Sequence, residues 1–329
     1  MPPPAWRSID AHAGLLHLLD AEGGDGGTVP PQIRSSRHTR VGREVRVSRC
    51  LGWGMPLSVA VVCRSNQATI GPVIAAARLL LARTGQGELI AVDSGSVDAT
   101  IPMLEGAGAR IVRTPWLGHV RTKQLALDEA SKGLEGRGWV LCLDSDEPPD
   151  EALMTGIARV VASDDPAVSG CRMNRRIWYR GRYLMHAWQP EWRLRLVRPG
   201  RAAWTGQDPH DRLEVTDGGR VLDLEGTLRH DSFVTFVEHL SKQVSHAKVA
   251  AAGMHRAGER TTAWRMATSP VGAFLKQVVL KGAWRDGYAG WLAAGSTAAG
   301  SLMKHMALLE LQHAPATSDE AASPARATP

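Results

Sequence analysis

The 329-residue chain lacks any run of 18 uncharged apolar residues, so a membrane-spanning helix is not expected. Its N-terminus also lacks the apolar segment of a signal peptide. The four cysteines, Cys50, Cys63, Cys142 and Cys171, include no CxxC pair and no metal-finger spacing, which argues against a zinc site or a disulfide scaffold. Cys63 and Cys142 fall inside apolar, strand-like runs and read as core thiols of a reducing compartment. Acidic residues are the scarcer charge: 33 Asp and Glu against 39 Lys and Arg leave a formal charge of +6. That balance suits a polyanion or a membrane surface without choosing between them. The arginines at 34, 37, 40, 43, 46 and 49 lack the interleaved aromatics of a single-strand-binding surface, so no nucleic-acid partner is expected.

The organisation is uneven. Residues 1–54 are rich in Pro, Gly and Arg and are expected to be a disordered basic extension, with Met55 as an alternative start. From 55 to 231 a catalytic domain is expected, then a helical appendage over 232–313 and a disordered tail over 314–329. Leu57–Cys63 is β-branched and apolar, Ile70 to Leu81 repeats at helical spacing, and Glu88–Asp93 is a second strand. A short strand at 109–112, a helix near 121–132 and the run Trp139–Leu143 follow. Strands separated by helices imply βαβ units and a mostly parallel sheet, whose ligands bind outside the carboxyl ends of the strands.

Three of those ends are polar: Arg64-Ser65-Asn66, Asp93-Ser94-Gly95-Ser96-Val97-Asp98, and Asp144-Ser145-Asp146-Glu147. Two carboxylates two residues apart can face one hard cation, although an isolated D-x-D is more often a solvated acidic turn. The Asp93 segment alone also reads as a turn and helix cap.

In this order, with Trp116-Leu-Gly118 between them, these motifs resemble the inverting family 2 glycosyltransferases of GT-A nucleotide-sugar-binding fold. More narrowly, the chain resembles bacterial glycosyltransferases of the lipopolysaccharide inner core. The subgroup pattern continues through Pro190-Glu191-Trp-Arg-Leu-Arg195-Leu-Val197, His210-Asp211 and Leu228-Arg-His230-Asp-Ser232. The chain departs from it at Asn66-Gln67, where Asn-Glu is common, and at Gln124 after Lys123, where Asn is usual.

The resemblance implies an α/β GT-A fold with a C-terminal helical appendage and metal-dependent hexosyl or heptosyl transfer. The expected donor is a nucleotide sugar, first of all a UDP-sugar, and the expected acceptor is a lipid-linked or phosphorylated saccharide. Mg2+ or Mn2+ would be held by Asp146, with Asp144 near the ribose or the ion's water and His210 as a late ligand. Asn66, Asp93, Ser96, Asp98 and Lys123 would meet the donor nucleotide, Lys123 being equally readable as a surface lysine. Glu191 is expected to be the general base, its pKa raised by partial burial, with Asp211 and Asp208 in reserve. An ion pair of Glu191 with Arg193 or Arg195 is the competing reading. His230 reads as structural, and His239 and His246 as solvated.

Trp178, Tyr179, Tyr183, Trp188, Trp192 and Trp204 lie among arginines, a mixture that suits a phosphorylated sugar or simple core packing. In the appendage, Phe233 to Ala247 keeps one apolar face behind Ser232 as its cap. The segment Val271–Val279, with Lys276 and Lys281, and the small-residue run from Tyr288 suit either a bilayer interface or packing on the catalytic domain. The expected location is the cytoplasmic face of the membrane, peripherally. Transfer to a polyprenyl phosphate or a protein, or donor binding without catalysis, are the alternatives.

Overall fold

A computed structural model describes residues 55–207 and 210–314, with the backbone alone at Gln207 and His210. The expectations for residues 1–54 and 315–329, for Asp208 and for the His210 side chain therefore lie outside the described residues.

Strands β1 (Leu57–Cys63), β2 (Leu89–Asp93), β3 (Arg110–Arg113) and β4 (Trp139–Asp144) alternate with helices α1 (Ile70–Thr84), α2 (Thr100–Gly106) and α3 (His119–Lys132). Helix α4 (Glu151–Ser163) then leads to β5 (Val168–Tyr179), the short β6 (Arg182–Tyr183) and β7 (Trp192–Val197). A separate hairpin, β8 (Ala202–Gln207) with β9 (His210–Val215), precedes β10 (Arg220–His230). The main sheet has the order β10-β5-β7-β4-β1-β2-β3, with β6 paired to β5. β1 to β4 are parallel, β7 is antiparallel to both neighbours, and β10 runs parallel to β5. This mostly parallel mixed sheet with helices on both sides is the GT-A architecture.

Burial on both faces explains why β1, β2 and β4 are continuous Val/Leu/Ile/Ala runs rather than alternating ones. One face packs against α1, α2 and α4 through Ile70, Leu80, Leu104 and Ile157. The other packs against α3 and the hairpin through Leu127, Ala130, Trp204 and Leu213. Burial pushes the Cys63, Cys142 and Cys171 thiols up to about 12, so these are inert core groups. Gly226 has φ +103°, and a Cβ there would stand 2.4 Å from the Leu153 amide nitrogen, so only glycine lets β10 pass the start of α4.

After β10 come α5 (Phe236–Arg256), α6 (Ala263–Leu275), a π turn (Lys276–Leu280), a 3₁₀ turn (Ala283–Asp286) and α7 (Tyr288–His313). Helix α5 begins at Thr235, whose side chain accepts from the Glu238 amide, not at Ser232 as the sequence suggested. His239 is not solvated: it packs against Phe233 and Trp188, and burial first, then Lys242, lowers its pKa to about 4. Among the described residues no helix is long and apolar enough to cross a membrane.

Candidate active site

Parallel register brings three polar strand ends side by side, since Cys63 stands opposite Asp93 and Val62 opposite Asp144. The first two ends are stitched together. Asp93 is buried and accepts from the amides of Gly95 and Ser96 and from the Ser96 hydroxyl, in a turn that Gly95 enters at φ +92°. Ser96 Oγ in turn accepts from the Ser65 amide, and Ser65 Oγ from the Val97 amide. Asp98 accepts from the Gln67 amide while Gln67 Oε1 accepts from Ala99, so the Gln found at 67 has a fixed local role. Asp98 also accepts from the Thr100 amide, and the Thr100 hydroxyl caps the Asn66 amide.

These loops wall a cleft of about 310 Å³ lined by residues that include Arg64, Asn66, Ser94, Trp116, Lys123 and Asp144. Trp116 is 47% exposed and meets His119 edge to face. Ser94 and Thr122 line the same cleft, with their hydroxyl oxygens buried beneath its surface. A cavity of about 650 Å³ lies at the opposite ends of β1 and β2, around Pro56, Gly87, Glu88 and Glu135, away from the three polar strand ends.

Behind the cleft, eight charges alternate in sign. Lys123 Nζ bonds Asp211 and Asp144, each at 2.8 Å, and Arg195 Nη2 reaches Asp144 at 3.1 Å. Arg195 also donates twice to Glu147 at 2.8 Å, and Arg175 bonds Glu147 at 2.7 Å. Arg175 and Arg193 then both donate to Glu191, at 2.5 and 2.6 Å. Glu147 is fully buried; burial would raise its pKa, but Arg195 and Arg175 hold the carboxyl well below the usual range. Glu191 follows the same pattern: burial raises, the Arg175 and Arg193 contacts outweigh it, and the net direction is down. The raised pKa expected for Glu191 is therefore overturned, because two guanidiniums favour the charged form more than partial burial disfavours it. Burial likewise raises and Lys123 lowers the Asp211 carboxyl, with the net direction down. Lys123 and Arg195 also lie over the Trp204 ring, at 4.9 and 5.5 Å from its centroid. Lys123 is a wall between the cleft and a second cavity of about 490 Å³, which Arg172, Arg175, Trp192, Arg193, Asp211 and Arg212 help to line.

The Asp146 carboxylate points elsewhere. Its Oδ2 stands 3.4 Å from His230 Nε2, and the Asp231 amide donates to the Asp146 carbonyl. Two cis ligands of an octahedral ion with bonds of about 2.1 Å stand roughly 3 Å apart, so this carboxylate–imidazole pair fits two positions of a divalent cation. Among the described residues no group of three His, Cys, Asp or Glu forms a fuller ligand set. Magnesium and manganese commonly take the remainder from water and phosphate oxygens.

The family model for glycosyl transferase family 2 matches residues 58–220, which span the cleft, the carboxylate triplet and the charge network. Residues 58–220 belong to glycosyl transferase family 2. The chain is similar to a lipopolysaccharide core biosynthesis glycosyltransferase, LpsC, of Rhizobium meliloti, 28% identical over 73% of this chain and 87% of that one. It is also similar to an uncharacterised glycosyltransferase of Rickettsia typhi, 23% identical over 72% of this chain and 80% of that one. Among solved structures it matches glucosyl-3-phosphoglycerate synthase from Mycobacterium tuberculosis, in complex with Mn2+, UDP and glucosyl-3-phosphoglycerate. That match is 24% identical over 39% of this chain and 45% of that chain, with a TM-score of 0.30.

Within this glycosyltransferase fold, Asn66, Lys123 and Asp144 share the cleft, while Asp93, Ser96 and Asp98 hold its loops in place. Asp144 is drawn to Lys123 and Arg195, and Asp146 to His230. Glu191 sits at the far end of the charge network from Asp211. Sequence reasoning read His230 as structural, placed Trp204 among rings for sugar stacking or core packing, quoted Glu147 and Ser94 without a role of their own, and passed over Thr122. His230 had the one usable signal, its place in the Leu228-x-His-x-Ser232 motif; the others become visible only as contacts.

Proposed function

We propose that this chain is an inverting, divalent-cation-dependent glycosyltransferase that moves a hexose or heptose from a nucleotide sugar to a saccharide of the bacterial envelope. A UDP-sugar is the first donor to test, and a lipid-linked lipopolysaccharide core saccharide the first acceptor. The observation that carries this reading is the Asp146–His230 pair beside the strand-end cleft. The likeness to a lipopolysaccharide core glycosyltransferase supports the acceptor class. The catalytic domain spans 55–231 and the helical appendage 232–313.

In this reading the nucleoside enters the cleft between Asn66 and Trp116. Asp146 and His230 would hold the cation, which when bound neutralises the departing diphosphate. Lys123 keeps Asp144 turned into the cleft and is one bond from Asp211. The acceptor occupies the arginine-lined cavity, its ring against the half-exposed Trp192. Glu191 takes the proton of the attacking hydroxyl. Its lowered pKa keeps it ionised at neutral pH, and an acceptor phosphate that draws Arg193 away raises its basicity.

The test is release of nucleoside diphosphate from a panel of sugar donors, with Mg2+, Mn2+ or chelator, plus the mass shift of a purified lipid-core acceptor. Absence of turnover for every donor with that acceptor present would sink the reading.

A further inference from the structure

The helical segment 263–292 presents a second, unassigned surface. No side chain of helix α6 is fully buried, although Met266 and Phe274 are partly covered. Its Trp264, Val271 and Leu275, with Val279 of the π turn, recur at intervals of seven, four and four residues, which is one helical face. They are 79%, 58%, 51% and 65% exposed. Leu280, Trp284, Trp291 and Leu292 are also exposed, and Phe274 of α6 touches Trp291 of α7 with ring centroids 6.0 Å apart. Contiguous exposure of this kind marks an interaction site rather than ordinary surface.

Its charges have one sign. Between Arg260 and Leu292 the sequence holds Arg260, Arg265, Lys276, Lys281 and Arg285 against a single acid, Asp286. Asp286 faces inward, accepting from the amides of Met185, His186 and Ala187 at 2.8–2.9 Å. Two copies meeting through this surface would set like charges together, which disfavours self-association. Exposed tryptophans, one of them under Arg285, on helices that do not span, with Lys276 and Lys281 at the adjoining cavity, match the anionic headgroup layer of a bilayer.

We propose that this face, centred on Trp264, Trp284 and Trp291, docks the protein on anionic lipid. Its reverse side bears on the site. Asp286 and Gln277, which accepts from the Trp188 amide, clamp the loop 185–188 that leads directly into Glu191. Docking therefore fixes the acceptor-side loop at a set height over the membrane, which suits a lipid-borne acceptor. That last clause rests on the proposed function; the docking does not.

The test is flotation of the full chain with vesicles of phosphatidylcholine alone or with about one-third phosphatidylglycerol, in parallel with donor turnover on a detergent-dispersed acceptor. Binding to the anionic vesicles only, weakened by salt, is expected. Trp264→Ser/Trp284→Ser/Trp291→Ser should bind at least about tenfold more weakly with turnover in detergent unchanged. If that variant does not fold, Lys276→Glu/Lys281→Glu should show the same loss. Wild-type protein that ignores anionic vesicles, or variants that bind them equally well, would overturn the proposal. So would a dimer that the tryptophan substitutions dissociate without any vesicle binding. Vesicle binding with no sugar transfer would leave docking standing and remove only the enzymatic reading.

Discussion

The sheet domain and the helices after it handle charge in opposite ways. From Asp211 through Lys123, Asp144, Arg195, Glu147 and Arg175 to Glu191 and Arg193, every charged group touches one of opposite sign, several of them buried. In α6 and the turns after it, cations stand among exposed rings and the one acid is turned inward. A group taken out of water must be paired to be tolerated, so each buried member of the network has a partner of opposite sign. A surface left in water carries no such demand, and its one-sided charge then reflects what it meets.

Substitutions can separate the two regions. The largest effect is expected at the pair proposed to hold the cation: Asp146→Asn should lower transfer by on the order of 10³-fold, with His230→Ala weakening apparent Mn2+ affinity in the same assay. Glu147→Gln leaves Arg195 and Arg175 without their shared partner and should cost about 3–5 kcal/mol of stability, read by denaturant unfolding. An unchanged midpoint would mean that the network is not a structural unit. Glu191→Gln should lower transfer by on the order of 10²-fold while donor affinity, measured by calorimetry, stays put.

Acid provides a graded version of the contrast. Glu147, Glu191 and Asp211 all have folded-state pKa values below their ordinary ones. Their stabilisation is thus full above about pH 4.3, the unfolded carboxylate value, and is lost as pH falls through the lower folded values. His239, lowered to about 4, adds to the loss earlier, beginning as pH drops below the unfolded histidine value of about 6.5. Thermal melts from pH 7 down to about pH 2 should show this decline, with the His239 part first, and Glu147→Gln should flatten only the part below about pH 4.3. The smallest effect belongs to the helices: Trp264→Ser, at an exposed position, should change stability by no more than about 0.5 kcal/mol.

Most of the first half of the fold was readable. β1, β2 and β4 announce themselves as apolar runs because both sheet faces are covered, and α1 by its helical period. The antiparallel insertion of β7 between β4 and β5 was not readable, since its Trp-Arg-Leu-Arg-Leu-Val pattern says nothing of its neighbours. Nor was the direction of the Glu191 shift. Burial and ion pairing push a carboxylate in opposite directions, and which prevails depends on Arg175, sixteen residues away in the chain.

The polar strand ends and their order were set by sequence alone, because local pattern dictates strands and a parallel sheet gathers their carboxyl ends on one edge. Tertiary structure divided the work between the two aspartates of Asp144-Ser-Asp146. The pleat turns Asp144 to Lys123 and Arg195, while the turn after β4 presents Asp146 to His230 from the last strand of the sheet. Spacing in sequence puts two carboxylates near each other; only the partners brought from distant strands decide what each one holds.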